Sequence, residues 1–374
     1  MKKLKEAKRR WFTCRARCEI KKRKHIKNVL TFTTESGSVQ VRGGNARPLP
    51  GILCLNTDIP GTVAFFERFR SETKRRLPGF SKAPTSKKRG RIKTLRNYYD
   101  FESLDYVSPG AALVLAAEFD RVNELSGRGP SSINLDKWND LVYGTFFHLG
   151  FFKLLGFSEA KIRKQEIARP PVLSELVVMA MQKGRNADVL HAAKAVKALF
   201  QSIGANNDLA VKLISTIVDA IENVVDHAYK YLPESEKLLV PHKWWIGGSA
   251  SPIDKTVTVY VYDQGISIPV SLPIVWNNNK VLDAILSKLN LLDWTSKPDA
   301  EAIQAAMRLS STSTGLSNRG RGLHKIKEII GLLEGGELTI LSRRGHYKWR
   351  GNQESCFAME SALMGTYVEL KAKF

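Results

Sequence analysis

Asp219, Asn223 and His227 follow one another at steps of four in a stretch whose apolar residues, Ala210, Ile214, Ile217, Ile221, Val224 and Ala228, recur at helical spacing. This spacing predicts a helix with one core-facing side and one polar stripe. A carboxylate and a carboxamide one turn apart are able to share a hydrated Mg²⁺ and a water, which suits phosphate chemistry. A solvated helix face has the same pattern, so the stretch alone leaves both readings open. Two glycine turns lie downstream. The alternating run Thr256-Val-Thr-Val-Tyr-Val-Tyr262 reads as a strand that enters Asp263-Gln-Gly-Ile-Ser-Ile-Pro269. That order places a carboxylate at the mouth of a sheet and lets backbone pass close to a ligand. A polar loop, 310–324, then carries Arg319, Gly320, Arg321 and Gly322 into a helix faced by Leu323, Ile326, Ile330 and Leu333. Glycines at a helix start expose unpaired N–H groups, the helix dipole adds partial positive charge, and guanidiniums clamp phosphate oxygens.

Together with Gly365-Thr366 before the last strand, these stretches resemble, in order, the four boxes of the GHKL ATPase superfamily of gyrase, heat-shock chaperone, histidine-kinase and mismatch-repair ATPases. The resemblance covers about residues 175–374 and is nearest to the anti-sigma-kinase-like branch. It implies that Asn223 coordinates Mg²⁺ and that Asp263 accepts a hydrogen bond from the adenine amino group. It also implies that Gly265 lets adenine approach the backbone, that Gly320 and Gly322 cradle phosphates beside Arg319, Arg321 and Leu323, and that Thr366 lies near the base. Residues 270–318 would be the ATP lid. His227 matches a histidine of the same branch, although packing explains it as well. Two positions depart from the pattern. Asp219 stands where hydrolysing members carry a glutamate general base, and it is one methylene shorter. Ser267 stands where a second glycine is usual, which is expected to stiffen the start of the lid or narrow the pocket.

The elements upstream are of a different kind. Residues 29–34 and 38–42 alternate like a hairpin, 52–55 read as a buried strand, and 62–76 as a helix that Pro78-Gly79 stops. Tyr98 to Glu118 fits a strand, a turn at Ser108-Pro-Gly110 and an alanine-rich helix, with Pro109 suited to the first turn. This resembles the STAS domain of anti-sigma-factor antagonists over about residues 45–157. The resemblance puts Ser108 at that family's phosphorylated serine, whereas its position before Pro109 reads as a helix cap. Pro170-Pro171 marks a boundary.

The chain has 374 residues and a net charge of +22, much of it in a run at the N-terminus and another between Arg68 and Arg96. Such a balance favours polyanions: nucleic acid, nucleotide or an acidic partner. Cys14, Cys18 and His25 are too few ligands for structural zinc, and four cysteines in all suggest reduced thiols. No apolar run is long enough to span a bilayer, so a cytoplasmic protein without membrane contact is expected.

The expected architecture is α/β (α+β): a basic arm (1–28), a smaller STAS-like domain with helices on a small mixed sheet (29–157), a linker (158–172) and a two-layer helix-on-mixed-sheet ATP-binding sandwich (173–374). The expected function is an ATP- and Mg²⁺-dependent regulatory ATPase or switch, with Asp219 as the catalytic residue and a protein partner. Two alternatives stand beside it: an anti-sigma-type serine kinase acting on a STAS-like domain, and a nucleic-acid-associated, ATP-gated binding protein. A homodimer is left open.

Overall fold

The computed structural model describes residues 29–34, 37–42, 47–80, 98–127, 131–276, 298–309 and 322–374. The basic arm with its two cysteines and the basic loop after Phe80 lie outside the described residues, as do Arg319, Gly320 and Arg321.

A five-stranded sheet organises the molecule. Its strands are β8 (Val177–Gly184), β9 (Trp244–Ser251), β10 (Thr256–Asp263), β11 (Glu337–Arg350) and β12 (Gln353–Lys373), in the order β11-β12-β10-β9-β8. Every pairing is antiparallel, where a mixed sheet was expected. The reason is local: β9 and β10 are joined by a tight turn at 252–255, and β11 returns as β12 through Gly351-Asn352.

The period-2 alternation of these strands sends apolar side chains to both faces. Val257, Val259 and Val261 of β10 enter one core; Tyr260 and Tyr262 enter the other. The first face is covered by α6 (Leu190–Ser202), α7 (Asn207–Asn223) and α11 (Gly322–Gly331). Asn206 caps α7 by accepting from the Asp208 N–H at 2.9 Å.

The opposite face is covered by the N-terminal half. Its helices are α1 (Ile59–Phe80), α2 (Pro109–Ser126), α3 (Asp140–Leu149) and α4 (Phe151–Leu154). Residues 109–122 of α2 are all buried, so the helix lies inside the molecule and not on its surface. Gly110 makes this seating fit: a Cβ there would lie 2.0 Å from the Tyr367 hydroxyl of β12. Phe101, Phe119 and Phe151 thus share one core with Trp245, Tyr262 and Tyr367 of the sheet. The sheet therefore carries helices on both faces, one layer more than the expected two. The expected linker contains α5 (Glu159–Ala168), which buries none of its residues.

The small strands of this half are β3 (Arg47–Pro48), β4 (Ile52–Leu53), β5 (Tyr98–Asp100), β6 (Tyr106–Val107) and β7 (Ser131–Ile133). They pair in parallel, β3-β5-β7 and β4-β6, as strand–helix–strand crossovers require, and the expected mixed sheet is not formed by them. The hairpin of β1 (Val29–Thr34) and β2 (Gly37–Arg42) is antiparallel as expected. Helix α1 runs on past Pro78, whose missing N–H removes one bond close to the helix end. Ser108 is the cap of α2, accepting from the Ala111 N–H at 3.3 Å and the Leu55 N–H at 3.4 Å. Its hydroxyl is buried, which removes the expectation of an accessible phosphorylated serine. No described helix is long and apolar enough to cross a membrane.

Candidate nucleotide site

Helix α7 ends at Asn223 and continues as one π-helical turn, Val224–Ala228. Asp219 and Asn223 lie one turn apart on α7, and His227 lies half-buried within the π turn. Single π turns inside helices recur at functional sites.

Asp219 and Asn223 face the start of α11. A Cβ built on Gly322 would lie 2.6 Å from Asn223 Nδ2 and 2.9 Å from its Oδ1, so a side chain there would displace the Asn223 carboxamide from its present position. Lys325, on the next turn, donates to Asp219 Oδ1 at 2.8 Å. Asp219 is only 8% exposed, yet among the described residues its buried Oδ2 has no hydrogen-bond partner, and neither has Asn223 Nδ2. Two orphaned polar atoms one helical turn apart are costly to leave so, and their convergence suits a ligand that supplies what the chain does not. Leu323 packs toward the core, which fixes the helix start in place.

The π turn reaches the other glycine turn. The Ile266 N–H donates to the Ala228 carbonyl at 2.7 Å, and a Cβ on Gly265 would lie 2.2 Å from that carbonyl oxygen. Gly265 therefore makes room for the backbone of Ala228, whereas the sequence suggested that it makes room for a base. The stretch from Asp219 to Ala228 consequently touches both glycine turns.

Asp263 ends β10 and is buried. Its Oδ1 accepts from the Gly265 N–H at 2.7 Å, and the Thr366 N–H also bonds the carboxyl. Burial raises its pKa from 3.8 to about 7, against the pull of those two N–H groups. Gly365, at φ 76°, seats the final strand against this turn: a Cβ there would lie 2.0 Å from the Asp263 carbonyl oxygen. The Thr366 hydroxyl bonds Ser342 Oγ at 3.0 Å, and Ser342 Oγ accepts from the Ile268 N–H at 3.0 Å. Ser267 has φ 75°, the left-handed region where glycine is the ordinary residue.

Asp219, Asn223 and Gly322 are thus brought together, as are Asp263, Gly265 and Thr366. Sequence reasoning missed Lys325, Ser342 and Gln264. Lys325 lies three residues after Gly322, the helical spacing that shares its face, and that signal was readable. Ser342 is found only through its register opposite Thr366.

Among the described residues no three His, Cys, Asp or Glu side chains converge as a metal cage. Mg²⁺ does not require one, because it keeps several waters and is held with substrate phosphates by one or two protein ligands. The Asn223 carboxamide beside Gly322 fits that requirement. A comparison with models of protein families finds no match, and neither does one with curated proteins or with solved structures.

Proposed function

We propose that this chain binds ATP with Mg²⁺ in a GHKL-type pocket between α7, α11 and the turns that follow β10 and precede the end of β12, and that it acts as a nucleotide-dependent regulatory switch. The observation that carries the reading is the pair of buried atoms, Asp219 Oδ2 and Asn223 Nδ2, unpartnered among the described residues and set against Gly322 on a segment whose continuation reaches the turn after Asp263. The Asn223 carboxamide holds the Mg²⁺, which neutralises phosphate charge when bound. The Gly322 backbone lies against the phosphates at the positive end of α11. The buried Asp263 carboxyl recognises the adenine amino group, and Thr366 borders the base with Ser342.

In this reading Asp219 orients a water toward the terminal phosphate, which makes slow ATP hydrolysis the expected reaction. The buried Ser108 hydroxyl disfavours phosphoryl transfer to that serine in cis. Calorimetric titration of the full chain tests the reading. ATP with Mg²⁺ should bind, GTP much more weakly, and Asn223→Ala should remove the Mg²⁺-dependent part. Absence of binding by both ATP and ADP in the presence of Mg²⁺ would end it.

A further inference from the structure

Lys325 is half exposed, at 52% of its side chain, while the carboxylate it bonds is almost wholly buried. A buried ion pair stabilises best when both carboxylate oxygens are satisfied; here Oδ2 has no partner among the described residues. The ammonium occupies the single oxygen of Asp219 that has a partner, and so stands where a water bound to that oxygen would be. The other lysine of the same helix, Lys327, is committed to Glu354, and His324 lies 3.4 Å from Glu328. Among the described residues of α11, Lys325 is the cation on the side of Asp219 and Gly322. Its long stem lets the ammonium swing from Asp219 toward an anion at Gly322 without any backbone movement. A terminal phosphate, with more charge than a carboxylate, competes well for it.

We propose that Lys325 is a terminal-phosphate sensor: in the nucleotide-free chain it covers the Asp219 carboxylate, and a triphosphate draws it away and uncovers that group. ADP lacks the oxygens that would recruit the ammonium and leaves the pair closed. This inference rests on the ATP reading above and adds to it a residue that discriminates triphosphate from diphosphate.

The test compares affinities of the full chain for ADP and for ATP with a methylene bridge between its last two phosphates, with Mg²⁺ present. The wild type should favour the triphosphate. Lys325→Met should shrink that preference by about tenfold, the size of one charge-assisted hydrogen bond, and Lys325→Arg should keep most of it. Removing the lysine leaves Asp219 buried without its counter-ion, which costs stability, so the pair Lys325→Met with Asp219→Asn is measured as well; its preference should fall in the same way. An unchanged preference in a variant that still binds both nucleotides overturns the sensor and spares the pocket. Failure of the wild type to bind either nucleotide overturns both.

Discussion

Asp263 is a carboxyl whose own burial opposes its charge, and its raised pKa sets a pH dependence with a definite sign. In the unfolded chain it ionises near 3.8; in the folded chain, near about 7. The folded state therefore holds the extra proton between those values. Its stabilising contribution is complete below the lower value and is lost as pH rises through the upper one. Nucleotide binding should run the opposite way, because an ionised carboxylate is the stronger acceptor for an adenine amino group. Between about pH 6 and about pH 8, the denaturation midpoint of the nucleotide-free chain should fall while ATP affinity rises. Asp263→Asn should flatten both trends and weaken ATP binding. Chemical denaturation and titration at three pH values measure this; parallel trends in the two quantities would contradict it. Ser267 adds a second lesson at this scale. Its φ of 75° is what a glycine would adopt freely, so the departure noted from the sequence is a side chain accommodated in glycine's conformation.

At the scale of elements, the segment Asp219–Ala228 works as a spine because its two ends grip different turns. The grip at Ala228 depends on Gly265 having no side chain. Gly265→Ala would force a Cβ within 2.2 Å of a backbone oxygen that has no flexible end to yield. It should cost about 2 kcal/mol or more of stability, in the range of a strained or overpacked core substitution, and it should weaken ATP binding. Thermal melting with and without ATP reads both effects. Much of this arrangement was legible beforehand. The periodicity of α7, the strand before Asp263 and the helix after Gly322 are local patterns, and local patterns are what a sequence displays. The contact between Gly265 and Ala228 was not legible, because it joins two segments that only the fold brings together. The π turn escaped as well, since its residues continue the helical pattern and only the backbone widens. The third layer was hidden for a related reason. The tyrosines of β10 alternate with its valines and read as the polar side of a strand, although their rings are buried beneath α2.

For the molecule as a whole, the question is what joins the N-terminal layer to the pocket, and Gln264 supplies a specific answer. It is the residue after Asp263, it is fully buried, and its Nε2 donates to Glu118 Oε1 of α2 at 2.9 Å, on the far side of the sheet. Glu118 in turn bonds Arg70 of α1 at 2.9 Å and Arg121 at 2.8 Å, and Arg121 donates to Thr73 at 2.8 Å. Burial by itself would raise the Glu118 pKa, but the Arg121 and Arg70 guanidiniums overcome it and hold the group below its usual value. Asp120, one residue away on α2, accepts from the Trp245 indole of β9 at 3.1 Å and from Lys183 of β8 at 2.6 Å. The two halves are therefore held by polar contacts inside an apolar interface, where a missing partner costs more than it would at a surface. Glu118→Gln should destabilise the chain by about 3–5 kcal/mol, because it leaves the buried Arg121 guanidinium, with the part-buried Arg70 beside it, without a counter-charge. Gln264→Leu should cost about 1 kcal/mol, because Glu118 Oε1 loses one of its two donors and keeps Arg70. If the contact joins the layers, the two effects should not add. The double variant should be more stable than their sum predicts by about 1 kcal/mol or more, as expected for groups in direct contact. Urea denaturation of the four proteins completes this cycle, with Glu118→Asp substituted if the glutamine variant does not fold. Strict additivity would mean that Gln264 and Glu118 act independently, and that a change in the pocket loop has no route to α2 through this bond.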